Sequence, residues 1–208
     1  MIRLINRDNV GACGTLVRSM HADRKRVFVD TLKWNIPHDD IIERDQFDDD
    51  EAEYLVVQDP QSGDHVASLR MLRTDRPHLL SQIFARLCEG EVPRGPDVRE
   101  ITRLCLSPRR RAGERLQTRN LLARGIVEYG LLMGISRYTA VCEMAFLSQL
   151  LSAGWRCDPL GMPPMVDGAL VGAVEIGVSP KTYQMMVASW RCNSPRLNVI
   201  EFDTPLAA

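Results

Sequence analysis

The order of predicted elements in this 208-residue chain indicates an α/β or α+β fold in which helices flank one mixed sheet. A short strand and a helical stretch come first, three consecutive strand-like stretches follow, and helices then alternate with strands. Hydrophobic residues make up 45% of the chain and charged residues 25%, values close to those of an average globular domain. At this length, a single domain spanning residues 1–208 is expected.

The N-terminal half begins with a short strand, "IRLI", and apolar residues at helical spacing then predict a helix over residues 9–32. Pro37 ends that pattern and opens a loop rich in acidic residues. Residues 52–59 and 65–74 are typical of two strands, and the Gly-containing turn between them predicts a hairpin. A short amphipathic helix over residues 79–87 follows.

The C-terminal half alternates strands and helices. Residues 98–107 predict a strand, and because the alternation of apolar residues breaks at Ile101, a bulge is expected there. A long helix is expected to run to about Met133. The remaining stretches predict, in order, a strand, a helix, two strands and a helix, at residues 137–144, 145–154, 155–161, 169–179 and 180–190.

Charge and cysteine usage exclude several classes of function. The net charge of −1 gives no global field for nucleic acid or an anionic membrane, so neither is an expected partner. The six cysteines form no CxxC pair and show no metal-ligand spacing, which indicates buried thiols in a reducing compartment. No signal peptide or membrane span is evident, and the cytoplasm is the expected location.

The acidic loop places Glu43, Asp45 and Asp48 around an aromatic residue, Phe47. Composition alone indicates a solvated loop. Carboxylates beside an aromatic ring also suit an ammonium or sulfonium group, and a plain salt bridge to Arg24 is a third interpretation. The loop lacks the DxDxDG order of a calcium site, so no metal is expected.

Charged residues also mark the predicted sheet. Arg70 interrupts an apolar strand, and a buried arginine requires a carboxylate partner from the protein or a substrate. A bulge at Ile101 would bring Glu100 and Arg103 onto one face, where they form a surface salt bridge or line a site.

Arginines cluster where the long helix begins, a place that suits a phosphate or an acidic partner, although a solvated basic face is equally consistent with it. The five arginines are Arg109, Arg110, Arg111, Arg115 and Arg119. The sequence contains no evident Ser/His/Asp or Cys/His constellation for a nucleophile.

Together these groups resemble the acyl-homoserine-lactone synthases, the LuxI-type autoinducer synthases of bacteria, from the first strand to roughly Gly161. The resemblance implies an acetyltransferase-like (GNAT) sandwich with a mixed, twisted sheet flanked by helices. Ten spaced positions carry it: Arg24, Phe28, Trp34, Glu43, Asp45, Asp48, Arg70, Phe84, Glu100 and Arg103.

The resemblance further implies that S-adenosylmethionine supplies the amine, as a substrate and not a cofactor, and that an acyl thioester supplies the acyl group. Glu100 is then the candidate base for the amine. Backbone amides at residues 105–107 are candidate oxyanion donors. The N-terminal part, to about residue 110, would hold adenosylmethionine, with Asp45 and Asp48 facing its positive charges. Phe28 and Trp34 would cover the bound molecule. The carboxylates, which include Glu43, would be ordered by three arginines: Arg24, Arg70 and Arg103.

The acyl chain is expected in the C-terminal part, against Met71, Phe84, Cys142, Met144, Leu150 and Trp155, each of which ordinary core packing explains equally well. Relatives that prefer 3-oxo chains carry a threonine in the strand at residues 137–144. The corresponding position here is Cys142 or Glu143, and Thr139 lies a few residues before it, so a 3-oxo preference is not indicated. The basic helix start would dock an acyl-carrier protein or the phosphates of coenzyme A. Two alternatives stand: a GNAT N-acyltransferase that acts on another amine without forming a lactone, and a signal-binding domain without turnover.

Overall fold

The computed structural model describes residues 2–152, 155–166, 168–190 and 197–198. Nine strands occur in these ranges: β1 (Ile2–Ile5), β2 (Glu53–Gln58), β3 (His65–Arg73), β4 (Val98–Leu106), β5 (Arg137–Glu143), β6 (Cys157–Pro159), β7 (Met165–Val166), β8 (Ala169–Gly177) and β9 (Leu197–Asn198). The same ranges contain five α-helices: α1 (Gly14–Arg24), α2 (Leu79–Gln82), α3 (Ala112–Met133), α4 (Met144–Ser152) and α5 (Pro180–Trp190).

One mixed sheet organises these elements, with strand order β6-β8-β5-β4-β3-β2-β1-β9 and β7 attached to β8. Within the described ranges, the parallel pairs are β4 with β5 and β1 with β9, and the others are antiparallel. The mixed sheet and the β2–β3 hairpin are therefore confirmed. The two-residue strands β7 and β9 were not predicted, because two residues carry no periodicity.

Two predicted helices differ from the observed ones. The first helix begins at Gly14 rather than residue 9, since the Asn9 side chain accepts from the Asn6 amide and donates to the Leu4 carbonyl, which fixes a turn there. It continues beyond α1 as a π-helical segment, Lys25–Thr31. The predicted helix over residues 79–87 divides into α2 and a 3-10 turn, Ala85–Leu87.

Helices cover both faces of the sheet. The α3-side core packs α3 and α5 against the sheet and contains Leu69, Ile126 and Tyr138. On the opposite face, the α1-side core includes Met20 and Leu72. The α2-side core, built on Leu80, Leu87 and Ala173, lies on that same face, because Leu79 of α2 packs against the α1-side core.

Strand β4 is irregular near its middle. Its register with β3 shifts between the pairs Arg70 with Thr102 and Ser68 with Cys105, so β4 carries one extra residue. The bulge therefore lies at residues 103–104 rather than at Ile101, and Arg103 has a φ of 51°. An apolar pattern marks a break in alternation, but the pairing with β3 decides where the extra residue is accommodated.

Strands β4 and β5 pair only over Val98–Ile101 and Arg137–Ala140. The remaining residues of β4, 102–106, have no pairing with β5, while β5 stays paired with β8 to its end. The two central parallel strands therefore separate beyond Ile101, which opens the sheet in its middle.

Five of the six cysteines lie in the described ranges as free thiols, and Cys192 lies outside them. Cys13 and Cys105 are buried, as predicted, whereas the other three are half-buried. No helix of the described residues is long and apolar enough to cross a membrane.

Candidate active site

Three arginines and three carboxylates form a closed ring of alternating charge on the α1 side of the sheet. Each arginine bridges two carboxylates, and each carboxylate is shared by two arginines. In order around the ring the members are Arg24, Glu43, Arg103, Asp45, Arg70 and Asp48. All six were predicted site residues, and the fold brings them together.

The ring contacts are short and often paired. Arg24 Nη1 and Nη2 donate to the two carboxylate oxygens of Asp48 at 2.7 and 2.8 Å, and its Nε donates to Glu43 Oε2 at 2.5 Å. Arg70 Nη1 and Nη2 donate to Asp45 at 2.6 and 3.1 Å. Arg103 Nη2 donates to Asp45 Oδ2 at 2.6 Å and lies 3.1 Å from Glu43 Oε1. Such paired, charge-assisted bonds fix the planes of the side chains.

Separate elements supply the members of the ring. Arg24 ends α1, Arg70 lies on β3, and the bulge turns Arg103 of β4 towards the acidic loop. The loop supplies the three carboxylates and is held by its own side chains, since Asp48 Oδ2 accepts from the Asp45 amide at 2.9 Å and Asp45 Oδ1 accepts from the Phe47 amide at 2.9 Å. The plain salt bridge to Arg24 is thus observed, but as part of a larger network.

The ring stabilises its own ionisation. Burial alone would raise the pKa of Asp48, but hydrogen bonds and charge from Arg24, together with the charge of Arg70, hold that pKa well below its usual range. Tyr54 Oη also donates to Asp48 Oδ1 at 2.8 Å. Burial likewise would lower the pKa of Arg24, and Asp48 and Glu43 raise it instead. These opposite shifts of pKa keep Asp48 and Arg24 charged at neutral pH.

The ring meets solvent on one side only. The side chains of Arg103 and Asp45 are 8% and 7% exposed, whereas those of the other four members are at most 1% exposed. Phe28 lies beside this opening with its ring centroid 5.7 Å from the Arg103 guanidinium carbon, and Trp34 stacks on Phe28 at 4.8 Å. A ligand would reach Arg103 and Asp45 beneath two aromatic rings.

The three carboxylates also have the spacing of a metal site, since one oxygen from each lies within 4.8 Å of the others. Three arginines already balance their charge, and the ring oxygens point at guanidinium groups. A divalent cation would have to displace those contacts, so this donor set does not fit a metal.

Glu100 lies beside the ring but outside it. The bulge does bring Glu100 and Arg103 onto one face, yet they do not pair, because Arg103 joins the ring while Glu100 Oε1 accepts from the Leu80 amide at 2.9 Å. Of the two interpretations of Glu100 and Arg103, the surface salt bridge is therefore wrong. Burial raises the pKa of Glu100 to about 8, against lowering contributions from the Leu80 amide and Arg70.

The six predicted walls of the acyl-chain pocket divide between the two faces of the sheet. Five of them belong to the α3-side core: Met71, Cys142, Met144, Leu150 and Trp155. Phe84 packs instead in the α2-side core with Val141, so its grouping with the other five is wrong. The alternation of β5 explains the division, since Cys142 and Val141 point to opposite faces.

The basic start of α3 is only partly available to a partner. Arg109 donates to Asp23 at 3.0 Å and to Asp64 at 3.1 Å, and Arg110 pairs with Asp59. Arg119 hydrogen bonds the Asn120 side chain. The docking role of the five arginines stays a prediction, and two of them, Arg109 and Arg110, already pair with acidic residues of the chain. Arg111 is exposed and Arg115 half-buried, and neither forms an ion pair with the described residues.

Fewer backbone amides are available as oxyanion donors than the sequence predicted. The Ser107 amide donates to the Val66 carbonyl at 2.9 Å and is already engaged by β3. Successive amides alternate in direction along an antiparallel strand. The Leu106 amide therefore points away from β3, towards the opening between β4 and β5.

A second buried polar network lies next to the ring and was not predicted from the sequence. His65 Nδ1 lies 2.9 Å from Asp23 Oδ2, and its Nε2 lies 2.9 Å from Ser68 Oγ. Arg109 Nη2 donates to the same Asp23 oxygen at 3.0 Å. His65, Asp23 and Ser68 are at most 1% exposed, and their contacts with one another and with Arg109 occupy the imidazole, the carboxylate and the hydroxyl. No spacing in the sequence marks this network, since its members lie on α1, on β3 and after β4.

A family model described as autoinducer synthase matches residues 12–185. An acyl-homoserine-lactone synthase from Rhizobium etli is 32% identical over 165 residues, which cover 77% of this chain and 76% of that protein.

Solved structures share the fold. A CoA-dependent acyl-homoserine lactone synthase solved with SAM and isopentyl-CoA superposes with a TM-score of 0.86 at 25% identity, covering 95% of both chains. An acyl-CoA N-acyltransferase from Pseudomonas aeruginosa superposes with a TM-score of 0.51 at 16% identity, covering 84% of this chain and 98% of that one. The second likeness concerns the fold alone and confirms the acetyltransferase-like sandwich.

Proposed function

The chain belongs to the autoinducer synthase family, and we propose that its ring of charges is the S-adenosylmethionine site of an acyl-homoserine-lactone synthase. The enzyme transfers an acyl group from a thioester to the α-amine of S-adenosylmethionine. Lactone closure then releases methylthioadenosine and yields a quorum-sensing signal. The observation that carries the assignment of the site is the single opening of the ring at Asp45 and Arg103, beneath Phe28 and Trp34.

The two exposed members of the ring match the charges of the substrate. The Asp45 carboxylate faces the positive ammonium and sulfonium groups, and Arg103 donates to the methionine carboxylate. Phe28 and Trp34 cover the adenosine, and their ring faces also favour the sulfonium. The buried members, Arg24, Glu43, Asp48 and Arg70, hold these two contacts in position without touching the substrate.

Glu100 takes the proton from the α-ammonium, which must become a neutral amine before it attacks the thioester carbonyl. Its burial gives the carboxylate a pKa of about 8, close to that of the group it deprotonates and far above that of an exposed glutamate. Arg70 connects it to the substrate site, since the Arg70 charge acts on Glu100 while its guanidinium binds Asp45.

The acyl thioester enters where β4 and β5 separate, an opening lined by unpaired strand edge. The Leu106 amide directed into this opening stabilises the oxyanion that forms when the amine attacks the carbonyl. The acyl chain then extends into the α3-side core, against Met71, Cys142 and Trp155. Cys142 offers no hydroxyl to a 3-oxo group.

Lactone closure requires no nucleophile from the protein. The methionine carboxylate attacks its own γ-carbon, the carbon–sulfur bond breaks, and its electron pair neutralises the sulfonium as methylthioadenosine leaves. Because the carboxylate is tethered to its target, orientation by Arg103 supplies a high effective concentration. This explains why the site contains charged and aromatic groups and lacks an activated serine or cysteine.

The acyl donor is an acyl-CoA thioester in this proposal, and free coenzyme A leaves as the thiol, by likeness to the CoA-dependent synthase described above. Arg111 and Arg115 at the start of α3 would contact its phosphates, because Arg109 and Arg110 are engaged internally. An acyl-carrier protein, being acidic, would use the same two side chains, so the donor has to be determined directly.

The deciding experiment incubates the purified chain with S-adenosylmethionine and a panel of acyl-CoA and acyl-carrier-protein thioesters, followed by mass spectrometry. We expect methylthioadenosine and an acyl-homoserine lactone together, with acyl-CoA as donor. An acylated amine without methylthioadenosine would favour the simpler N-acyltransferase, and no product with any thioester would contradict a synthase.

A further inference from the structure

Two buried polar atoms without a protein partner lie next to each other where the sheet opens. Within the described part of the chain, neither Glu100 Oε2 nor Thr139 Oγ1 has a hydrogen-bond partner, and both residues are fully buried. Glu100 and Thr139 are paired in the register of β4 and β5, so their side chains stand on one face about 5 Å apart. Leaving a buried donor or acceptor unpaired is costly, so a native site normally supplies a partner.

The position of this pair fits a role in the reaction. Pairing of β4 with β5 ends one residue further, at Ile101 and Ala140, so Glu100 and Thr139 stand at the inner end of the opening between the strands. Thr139 faces away from the α3-side core, because its neighbours Tyr138 and Ala140 belong to that core. Both side chains thus share the face that carries the ring.

We infer that Thr139 is a positioning residue for the acyl transfer and that, with Glu100, it holds the water molecule through which the amine of S-adenosylmethionine loses its proton. The inference rests on the proposed function. An N–H bond of the α-ammonium breaks and its electron pair stays on nitrogen. The water accepts that proton and passes one of its own to Glu100 Oε2, while the Thr139 hydroxyl fixes the water oxygen. Three hydrogen bonds are the usual complement of a buried water.

Threonine suits this role because it adds no charge. The charged and titratable groups around Glu100 come from three elements: Arg70 from β3, His78 immediately before α2, and Glu175 of β8, which lies opposite Thr139. Arg70 is engaged by Asp45 and Asp48, and Glu175 by Arg137. Burial lowers the pKa of His78, whose Nδ1 lies 2.8 Å from the Arg76 carbonyl and whose Nε2 has no partner among the described residues. None of the three groups has an observed hydrogen bond or ion pair to Glu100 or Thr139. A neutral hydroxyl orients the water without shifting the balance of charge at the carboxylate.

The test compares T139V, which removes the hydroxyl at nearly constant volume, with T139S, which keeps it. Release of methylthioadenosine is measured from pH 6 to 10 with S-adenosylmethionine and the preferred thioester of the wild type. We expect T139V to lower kcat by about 10- to 100-fold, with KM for both substrates within about twofold. Its pH midpoint should move up, since an apolar neighbour further disfavours the carboxylate. T139S should keep kcat within about threefold of wild type.

Several outcomes would overturn the inference while leaving the function intact. One is a T139V enzyme with the kcat and pH profile of the wild type. Another is equal impairment of folded T139S and T139V, which would assign the effect to the threonine methyl group. Should T139V fail to fold, T139S is compared with T139A: retained kcat in T139S alone supports the role, and equal kcat values refute it. Absence of methylthioadenosine from the wild type would instead refute the proposed function.

Discussion

Replacement of Glu100 by glutamine should raise stability and abolish turnover, two effects that a structural residue would not combine. Glu100 is fully buried, and its pKa rises from 4.5 to about 8. Glutamine keeps the shape and the acceptor for the Leu80 amide but cannot ionise. The same burial that prepares the side chain as a base therefore makes its ionised form costly to the fold.

The size of the stability effect follows from the pKa. Between pH 4.5 and about 8 the folded protein keeps a proton on Glu100 that the unfolded chain releases, so the free energy of unfolding falls as pH rises through this window. A pKa of about 8 in place of 4.5 corresponds, at about 1.4 kcal/mol for each tenfold change in the ionisation constant, to about 5 kcal/mol. Wild type and E100Q should have similar stability at pH 4, and E100Q should be the more stable at pH 9 by up to that amount.

The kinetic effect has the opposite sign. With a pKa of about 8, roughly a tenth of Glu100 is ionised at pH 7, so wild-type kcat should rise about tenfold per pH unit below 8 and level off above it. E100Q should lose about 100- to 10,000-fold in kcat and also lose this pH dependence.

Urea denaturation at pH 4, 7 and 9 measures the stability, and methylthioadenosine release measures turnover. E91Q, on an exposed loop, is the matched control and should leave both quantities unchanged. Wild-type turnover in E100Q would remove Glu100 from the reaction, and a loss of stability at pH 9 would refute the assignment of its raised pKa to burial.

Two further substitutions test the ring and its aromatic cover. R24M leaves two buried carboxylates short of a partner and should lower the free energy of unfolding by about 3 to 5 kcal/mol at pH 7, whereas the exposed control R7M should change it by less than about 0.5 kcal/mol. A loss below about 1 kcal/mol for R24M, measured in urea, would mean that the ring does not hold the loop. W34A removes a half-exposed ring stacked on its neighbour and should raise KM for S-adenosylmethionine about tenfold with the melting temperature unchanged. The control is L32A, also exposed, and an unchanged KM in W34A would contradict the proposed cover.

The sequence predicted the elements of the sheet and the charged members of the site, because both depend on local patterns. Strand alternation and the Gly-containing turn indicated the β2–β3 hairpin, and Arg70 stood out as a charge within an apolar strand. All six ring members were identified in advance. Apart from the salt bridge between the acidic loop and Arg24, their pairing was not predictable, because each contact joins residues at least 19 positions apart.

The predictions that failed are those that depend on which face of the sheet an element covers. Phe84 was expected with Cys142, but α2 packs on the opposite face of the sheet from α4. The sequence pattern left Arg109 and Arg110 free to bind a partner. In the structure they pair with Asp64 and Asp59 of the β2–β3 turn, which lie 45 and 51 residues earlier in the chain. Thr139 carries no signal at all in a single sequence, because only its register opposite Glu100 distinguishes it.

Calorimetric titration with two ligands tests the proposed binding site most directly. S-adenosylmethionine and methylthioadenosine share the adenosine, but only the first carries the ammonium and carboxylate assigned to Asp45 and Arg103. The wild type should bind S-adenosylmethionine more tightly, and R103Q should lose most of that preference while its affinity for methylthioadenosine stays within about twofold. An R103Q protein that still discriminates between the two ligands as the wild type does would contradict the assignment of the ring opening as the substrate site.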